Sequence, residues 1–370
     1  MTHSTRKIRV LIVDDSAIVR KMLSDALRGD PGIEVVGLAS DPFVARDLIL
    51  QYAPDVVTLD IEMPRMDGLT FLRKIMEHHP LPVIIVSSVT QRGSAASIEA
   101  LAAGAIDVIA KPGGPQSVGQ VADRLRQRIH SVVPGQPMRL ARRPPPRREV
   151  PSAAGALARA KGLILIGAST GGPQAIEAVL TRLPADSPPI LIVQHMPAGF
   201  TTAFASRLDT LCPMTVVEAK GGEALERGTA YIAPGDYHLL VEAVGLELRT
   251  VVRAGPPVYY QRPAVDVLFH SAARLRNTPI VAVLLTGMGA DGADGMVALR
   301  NAGAMTIAED ELSCVVFGMP KEAIARGGAV HISTLLAMPR KIAECLTATR
   351  PKPALTTLVR STQPNGGVLS

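Results

Sequence analysis

Short apolar runs of strand length alternate with amphipathic stretches along most of the chain, and this alternation narrows the possible folds more than any other feature. In the first 130 residues, five runs are rich in Val, Ile and Leu: 10–13, 35–38, 56–59, 83–86 and 108–110. Amphipathic stretches such as 18–27, 43–50 and 69–76 lie between them. Strands that alternate with helices form parallel βαβ units. The first part is therefore predicted to be a doubly wound α/β domain with a five-stranded parallel sheet.

A second region of alternating strands and helices follows from residue 162 to about residue 346. Its predicted strands cover residues 163–166, 190–193, 230–233, 280–285 and 305–308. Two further runs, 238–244 and 246–252, flank Gly245 and predict an antiparallel hairpin. Aromatic residues make up only 3% of the chain and Trp is absent, so aliphatic side chains must fill the cores. The second part is predicted to be a doubly wound, mainly parallel α/β domain with an antiparallel hairpin.

These patterns divide the chain into a domain at 1–130, a linker at 131–160, a second domain at 161–346 and a disordered tail at 347–370. Proline and arginine are concentrated in the linker, where Pro144, Pro145 and Pro146 follow Arg142 and Arg143. This composition is typical of a semi-extended, solvated segment, which we favour over a contact with an acidic partner.

The chain has few features of an exported or membrane protein. Its three cysteines, Cys212, Cys314 and Cys345, are widely separated and show no metal or disulfide spacing, which favours a reducing compartment. The N-terminus lacks the apolar core of a signal peptide, and no apolar run approaches the ~20 residues of a membrane span. The sequence predicts a cytoplasmic protein without membrane insertion.

Carboxylates follow two of the predicted N-terminal strands. Asp14 and Asp15 follow the first strand and Asp60 follows the third, and in a flavodoxin-like strand order these ends are neighbours. Three adjacent negative charges repel unless a cation is present, and oxygen ligands alone favour magnesium. Lys111, after the fifth strand, is placed to pair with an incoming phosphoryl group. Ser87 or Ser88, after the fourth strand, offers the same group a hydroxyl; we expect Asp60 to be the acceptor.

Four motifs at these strand ends closely resemble the receiver domain of two-component response regulators: Val13-Asp14-Asp15-Ser16, Asp60-Ile61-Glu62-Met63-Pro64, Ser87-Ser88 and Lys111-Pro112. The resemblance covers about residues 8–130 and implies strand order 2-1-3-4-5. It also implies that a histidine kinase phosphorylates Asp60. Asp15, Asp60 and the backbone carbonyl of Glu62 would bind magnesium, assisted by Asp14. The chain departs from the family at Val108, where receivers commonly have an aromatic residue, so a rotating-aromatic relay is not expected.

A possible nucleophile lies at Gly167-Ala168-Ser169-Thr170-Gly171, directly after a predicted strand. Small residues on both sides of a serine at a strand-to-helix turn resemble a nucleophile elbow. A degenerate dinucleotide-binding loop is the alternative, but the glycine spacing does not fit. His195, at the end of the next strand, is the candidate general base.

The imidazole would need a carboxylate to orient it. Asp291 is the best candidate, because it lies in a glycine-rich turn after the strongly apolar strand 280–285. Asp294 and Asp266 are weaker candidates, and we interpret both as surface charges; Asp236 is interpreted as a turn residue. The order Ser, His, Asp argues against the α/β-hydrolase fold. Backbone amides near Thr170 or in the loop 287–289 are candidates for an oxyanion site.

The motifs at 167–172, 194–200, 233–238 and 285–292 together closely resemble the catalytic domain of the chemotaxis protein-glutamate methylesterases. The resemblance implies a triad of Ser169, His195 and Asp291 with no cofactor in this domain. It implies that the substrates are glutamyl methyl esters on chemoreceptor cytoplasmic helices, and often receptor glutamines. It also implies that the unphosphorylated receiver packs over the active site and that phosphorylation of Asp60 relieves the block.

The sequence therefore predicts a phosphorylation-activated serine hydrolase that demethylates, and also deamidates, bacterial chemoreceptors, with the chemotaxis histidine kinase as phosphodonor. A receiver-controlled DNA-binding protein is one alternative, suggested by the net charge of +6 and the sequence pI near 9.4. The C-terminal region is too long and too rich in strands for a helix-turn-helix module, so we expect no nucleic-acid partner. A degenerate hydrolase that only binds other proteins is a second alternative, and the presence of all three triad residues disfavours it.

Overall fold

The N-terminal part folds as the sequence predicts. The computed structural model describes residues 6–111, 118–132, 157 and 160–347, so the predicted linker and tail fall almost entirely outside the described residues. The elements are β1 (Ile8–Val13), α1 (Ala17–Arg28), β2 (Ile33–Ala39), α2 (Pro42–Tyr52), β3 (Val56–Leu59), α3 (Gly68–His78), β4 (Val83–Ser87), α4 (Gln91–Ala102), β5 (Asp107–Ala110) and α5 (Val118–His130). The sheet is parallel with the order β2-β1-β3-β4-β5, which confirms the predicted topology.

Polar residues at the strand-to-helix turns fix where these helices begin. Ser16, Asp41, Asp67 and Thr90 each accept a backbone N–H from the first turn of the following helix, at α1, α2, α3 and α4. Such caps satisfy amide groups that have no partner inside the helix. Because these capping residues lie in the connections that follow the strands, polar side chains gather at the carboxyl edge of the sheet.

The C-terminal part is a larger parallel sheet with helices on both faces. Its elements are β6 (Leu163–Ala168), α6 (Gly172–Leu180), β7 (Ile190–Gln194), α7 (Phe200–Leu211), β8 (Thr215–Glu218), β9 (Thr229–Ile232), β10 (His238–Val244), β11 (Glu247–Arg253), α8 (Val265–Ala272), β12 (Ile280–Leu284), α9 (Ala293–Asn301), β13 (Met305–Glu309), α10 (Met319–Ala325), β14 (His331–Ser333), a 3₁₀ turn (Leu335–Ala337) and α11 (Met338–Thr347). The sheet order is β14-β13-β12-β6-β7-β9-β8, and β10 and β11 form the predicted antiparallel hairpin.

The order of this sheet places three strands side by side at its centre. β6 pairs with β12 on one side and with β7 on the other, and all three are fully buried. Parallel neighbours end at the same edge, so the residues after β6, β7 and β12 converge there. The mainly parallel α/β prediction is thus confirmed.

The two parts of the chain contact each other closely. α4 of the N-terminal part packs against α7 of the C-terminal part. Gln174 Nε2 donates to the carbonyls of Leu101 and Ala105 at 2.6 and 2.8 Å, and the Gly171 N–H donates to the Ile106 carbonyl at 3.1 Å. The C-terminal turn after β6 therefore rests directly on the segment that leads into β5. Among the described residues, no helix is both long enough and apolar enough to cross a membrane.

Candidate active site

Ser169 lies in a tight turn directly after β6. Its N–H donates to the Thr286 carbonyl at 3.0 Å, and its carbonyl accepts the Gly172 N–H at 2.7 Å and Gln194 Nε2 at 2.9 Å. A Cβ atom at Gly287 would lie 2.7 Å from Ser169 Cβ, so the loop after β12 approaches the serine as closely as only glycine allows. The side chain of Ser169 is fully buried.

His195 and Asp291 form a buried hydrogen-bonded pair at the same edge of the sheet. His195 Nε2 lies 2.7 Å from Asp291 Oδ2, and both side chains are almost inaccessible to solvent. Asp291 also accepts the Val265 N–H at 2.6 Å and the Asp266 N–H at 2.9 Å, both from the start of α8. These two backbone donors hold the Asp291 carboxyl group in place, so Asp291 is well positioned to orient the imidazole.

Ser169 and His195 follow adjacent strands, but the hydrogen bond that the Ser169 hydroxyl makes is not to His195. The His195 N–H donates to the Ala168 carbonyl at 3.1 Å, which brings the two residues to the same edge. Among the described residues, His195 Nδ1 is buried without a hydrogen-bond partner. Ser169 Oγ instead accepts a hydrogen bond from Arg128 at 3.0 Å.

Arg128 comes from α5 of the N-terminal domain and links the two domains through a buried polar network. Its guanidinium donates to Ser169 Oγ and, at 2.9 Å, to Thr170 Oγ1. Its Nε lies 2.8 Å from Asp107 Oδ2, and the Thr170 hydroxyl donates to the same carboxylate at 3.1 Å. The arginine side chain is only 11% exposed. Arg128 and Asp107 were not among the predicted site residues, because no local sequence pattern marks residues that act across a domain contact.

The Asp266 side chain is buried, so its interpretation as a surface charge was wrong. It is only 4% exposed and its Oδ1 accepts the Gly295 N–H at 2.7 Å. Burial and the neighbouring Asp291 carboxylate raise the pKa of Asp266 to about 7. Asp266 therefore caps α9, while Asp291, just before α9, caps α8.

Asp294 and Asp236 lie at the surface, as expected. Asp294 is exposed and accepts hydrogen bonds from Tyr259 and Arg326. Asp236 is exposed with a φ of 65°, which is a turn conformation. Of the amides proposed for an oxyanion site, that of Gly287 already donates to the Val316 carbonyl at 3.0 Å.

A second polar site lies at the carboxyl edge of the N-terminal sheet. Carboxylate oxygens of Asp14, Asp15 and Asp60 lie within 4.8 Å of one another, and Lys111 Nζ lies 2.9 Å from Asp14 Oδ2 and 2.7 Å from Asp60 Oδ2. Burial raises the pKa of Asp60 to about 6, although Lys111 opposes this change. Clustered hard oxygen donors of this kind fit a divalent cation such as magnesium.

The two candidate hydroxyls at this second site differ in their surroundings. Ser87 Oγ is fully buried and, among the described residues, has no hydrogen-bond partner. Ser88 Oγ donates to Glu62 Oε2 at 3.0 Å, and the Glu62 N–H points to Asp60 Oδ1 at 3.3 Å. Val108, at the position where receivers commonly have an aromatic residue, is a buried aliphatic side chain in the core.

Comparison with known proteins gives the same two domains. Residues 164–342 match the CheB methylesterase family, and residues 10–123 match the response regulator receiver domain family. The chain is 51% identical over 336 residues to protein-glutamate methylesterase/protein-glutamine glutaminase 2 of Syntrophus aciditrophicus, covering 89% of this chain and 97% of the relative. A protein-glutamate methylesterase/protein-glutamine glutaminase of Methylobacillus flagellatus is 47% identical over 355 residues, which cover 92% and 97% of the two chains.

A solved structure is also similar to the C-terminal part. The crystal structure of the Thermotoga maritima CheB methylesterase catalytic domain is 41% identical, covers 50% of this chain and 98% of its own, and has a TM-score of 0.49. Because relatives about half identical to this chain align over nearly its whole length, the chain belongs to the protein-glutamate methylesterase/protein-glutamine glutaminase family, with a response regulator receiver domain in its N-terminal part.

Proposed function

We propose that this chain hydrolyses glutamyl methyl esters, and deamidates glutamines, on bacterial chemoreceptors under the control of its receiver domain. The relatives named above are called protein-glutamate methylesterases and protein-glutamine glutaminases. The observation that carries the proposal is the convergence of Ser169 with the buried His195–Asp291 pair at one sheet edge. The DNA-binding alternative is not favoured, because the C-terminal part is a seven-stranded parallel sheet.

In the proposed reaction, His195 Nδ1 takes the proton from Ser169 Oγ as the oxygen attacks the ester carbonyl carbon. The imidazolium then returns that proton to the methoxy group, which leaves as methanol. Water, deprotonated by the same nitrogen, attacks the glutamyl-serine ester and regenerates the serine. With a glutamine substrate the leaving group is ammonia. Asp291 holds the ring and stabilises its positive charge through Nε2.

The receiver residues have separate roles in this proposal. Asp60 accepts the phosphoryl group from a histidine kinase; Asp14, Asp15, Asp60 and the carbonyl of Glu62 would hold a magnesium ion, which would neutralise charge on the transferred group. Lys111 would pair with the phosphoryl oxygens. Of the two hydroxyls, we favour that of Ser87 over Ser88, because it is buried and has no partner among the described residues.

The domain contact supplies the control. The Arg128 guanidinium donates a hydrogen bond to Ser169 Oγ, so a lone pair of this oxygen is engaged and the oxygen is not free to attack an ester until α5 withdraws. Phosphorylation of Asp60 is proposed to weaken the contact of the receiver with the C-terminal domain and so to free the nucleophile. We also propose domain boundaries at 130, 161 and 346, from the pattern of strands and helices and from the proline- and arginine-rich segment between them.

Methanol release from membranes that contain methylated receptor, measured with and without a small phosphodonor, tests this function. Wild type is expected to release methanol and to do so faster with the phosphodonor. Ser169→Ala should abolish release under both conditions, and Asp60→Asn should abolish only the stimulation. Methanol release by the Ser169→Ala variant at the wild-type rate would refute the assignment of the nucleophile.

A further inference from the structure

Residues 258–261, which we call the tyrosine turn, form a two-residue hairpin loop with an unusual sequence. Val258 and Gln261 exchange two backbone hydrogen bonds, at 3.0 and 2.8 Å, across the loop. The central residues, Tyr259 and Tyr260, have φ values of 49° and 62°. Two consecutive positive φ values are characteristic of a type I′ turn, in which Asn and Gly are strongly preferred. Bulky side chains with positive φ strain the backbone, and such strain is concentrated at functional sites.

The two tyrosine side chains have different surroundings. Tyr259 Oη donates to Asp294 Oδ2 at 2.9 Å, and Asp294 is also paired with Arg326 at 2.6 Å. This pair of contacts anchors the turn to the start of α9. Tyr260, by contrast, is 79% exposed although the receiver domain is docked on the C-terminal domain. Tyr259 is 44% exposed, so both rings reach solvent and that of Tyr260 is the more exposed.

The tyrosine turn is connected in two ways to residues that contact or neighbour Asp291. Along the chain it leads within four residues to Val265, whose N–H donates to Asp291. Through Tyr259 it contacts Asp294, three residues after Asp291. Both connections therefore link the turn to Asp291, whose carboxylate contacts His195.

We propose that the tyrosine turn is a contact surface for the receptor helix that carries the esterified glutamate, with Tyr260 packing against residues next to the reacting side chain. This inference rests on the proposed function. A polypeptide that presents an ester to Ser169 must pass over the rim of the site. Tyrosine suits such a contact, because its ring buries a large area and loses little conformational freedom. Because the turn already holds its backbone in one conformation, the loss of conformational freedom on binding is smaller still.

The Tyr260→Gly variant tests the proposal, because it removes the ring and also relieves the positive φ. We expect kcat/KM for methylated receptor to fall about tenfold, mainly through KM, because the lost contact is remote from the reacting bond. Hydrolysis of a small ester, p-nitrophenyl acetate, should stay within twofold of wild type. The Tm should rise by about 2 °C, since a strained residue is replaced by glycine. Tyr260→Phe should retain most of the receptor activity.

Leu246→Ala is the matched control, because Leu246 is a fully exposed apolar residue at the β10–β11 hairpin tip. It should leave kcat/KM for both substrates unchanged. The proposal is overturned if Tyr260→Gly lowers the activity on both substrates equally, or if it lowers neither. If wild type hydrolyses p-nitrophenyl acetate but not methylated receptor, the proposed function fails instead.

Discussion

Arg128 reaches Ser169, the proposed nucleophile of one domain, from a helix of the other. Its guanidinium bonds to two hydroxyls, those of Ser169 and Thr170, and is itself held by the buried Asp107 carboxylate. A buried arginine is favourable only when such partners satisfy it. The bonds therefore stabilise domain contact and occupy the reactive hydroxyl at the same time.

Replacing Arg128 with alanine is expected to raise the activity of the unphosphorylated enzyme. A hydrogen bond to a charged group contributes about 1.5–3 kcal/mol, and removing the cation also leaves the buried Asp107 carboxylate without its positively charged partner. We predict an increase of about tenfold in methanol release without phosphodonor, and little change in the fully activated rate. The measurement is the ratio of the two rates in variant and wild type.

Arg126→Ala is the matched control for this prediction. Arg126 lies on the same helix, but its guanidinium donates to the Ala26 carbonyl within the receiver domain. Its loss should leave the ratio of the two rates unchanged. An unchanged basal rate in Arg128→Ala, with a reduced activated rate, would show that Arg128 supports catalysis rather than restrains it.

At the scale of elements, α8 and α9 are each capped by a carboxylate from the other segment: Asp291, just before α9, caps α8, and Asp266 of α8 caps α9. Neither helix has a side-chain cap of its own at the N-cap position. Asp291 binds the first amides of α8, and Asp266 of α8 binds the Gly295 N–H in the first turn of α9. The two acids are therefore close together, and burial together with the neighbouring Asp291 raises the pKa of Asp266 to about 7. This arrangement couples the position of Asp291 to the packing of two helices.

The pH dependence of stability tests this pairing. The pKa of Asp266 is raised from 3.8 to about 7, so the folded protein holds this proton more tightly than the unfolded chain does. The stabilisation that this tighter proton binding gives the folded state is fully present below the pKa that Asp266 has in the unfolded chain. It is lost as the pH rises through about 7. Asp266→Asn cannot ionise. Between pH 5 and pH 8.5, wild type should therefore lose more free energy of unfolding than the variant, by on the order of 2 kcal/mol.

Urea denaturation followed by circular dichroism, at both pH values, measures this difference. Asp294→Asn serves as the control, because the pKa of that exposed acid is lowered by Arg326 and Tyr259 and the group is ionised throughout the range. Its effect on stability should be the same at pH 5 and pH 8.5. Equal pH dependence in wild type and Asp266→Asn would contradict the pairing.

In the N-terminal sheet the sequence was sufficient to predict every strand, including the edge strands β2 and β5, whereas in the C-terminal sheet it predicted the central strands but not the two edge strands. β6, β7 and β12 are continuous apolar runs because they are buried on both faces. β8 and β14 were not predicted, since they are short edge strands with several exposed positions. The burial of Asp266 was missed for a related reason, because its partner Gly295 lies 29 residues away. The contact of Arg128 with Ser169 depends on how two domains dock, which local patterns do not encode.

At the scale of the whole molecule, the receiver domain is expected to control chemical access to Ser169. The serine side chain is fully buried when the domains are in contact. We predict that a serine-reactive fluorophosphonate labels the protein at least tenfold faster when a small phosphodonor is present. The rate of labelling is measured by mass spectrometry of the intact chain.

Two variants define the controls for this labelling. Ser169→Ala should not be labelled, and Asp60→Asn should be labelled at the slow rate with or without phosphodonor. Equal labelling rates in wild type under both conditions would show that the receiver does not limit access to the serine.

Because the Ser169 hydroxyl is buried when the domains are docked, the activity of the resting enzyme reports the equilibrium between docked and undocked domains. If only undocked molecules react, the basal rate divided by the activated rate equals the fraction of molecules that are undocked at rest. Each factor of ten in that ratio corresponds to about 1.4 kcal/mol of docking free energy. A single phosphoryl group must be able to overcome this energy. The docking free energy that the network of Asp107, Arg128 and Thr170 contributes must therefore lie within a limited range. If the network is too weak, the resting enzyme is active. If it is too strong, phosphorylation cannot activate the enzyme.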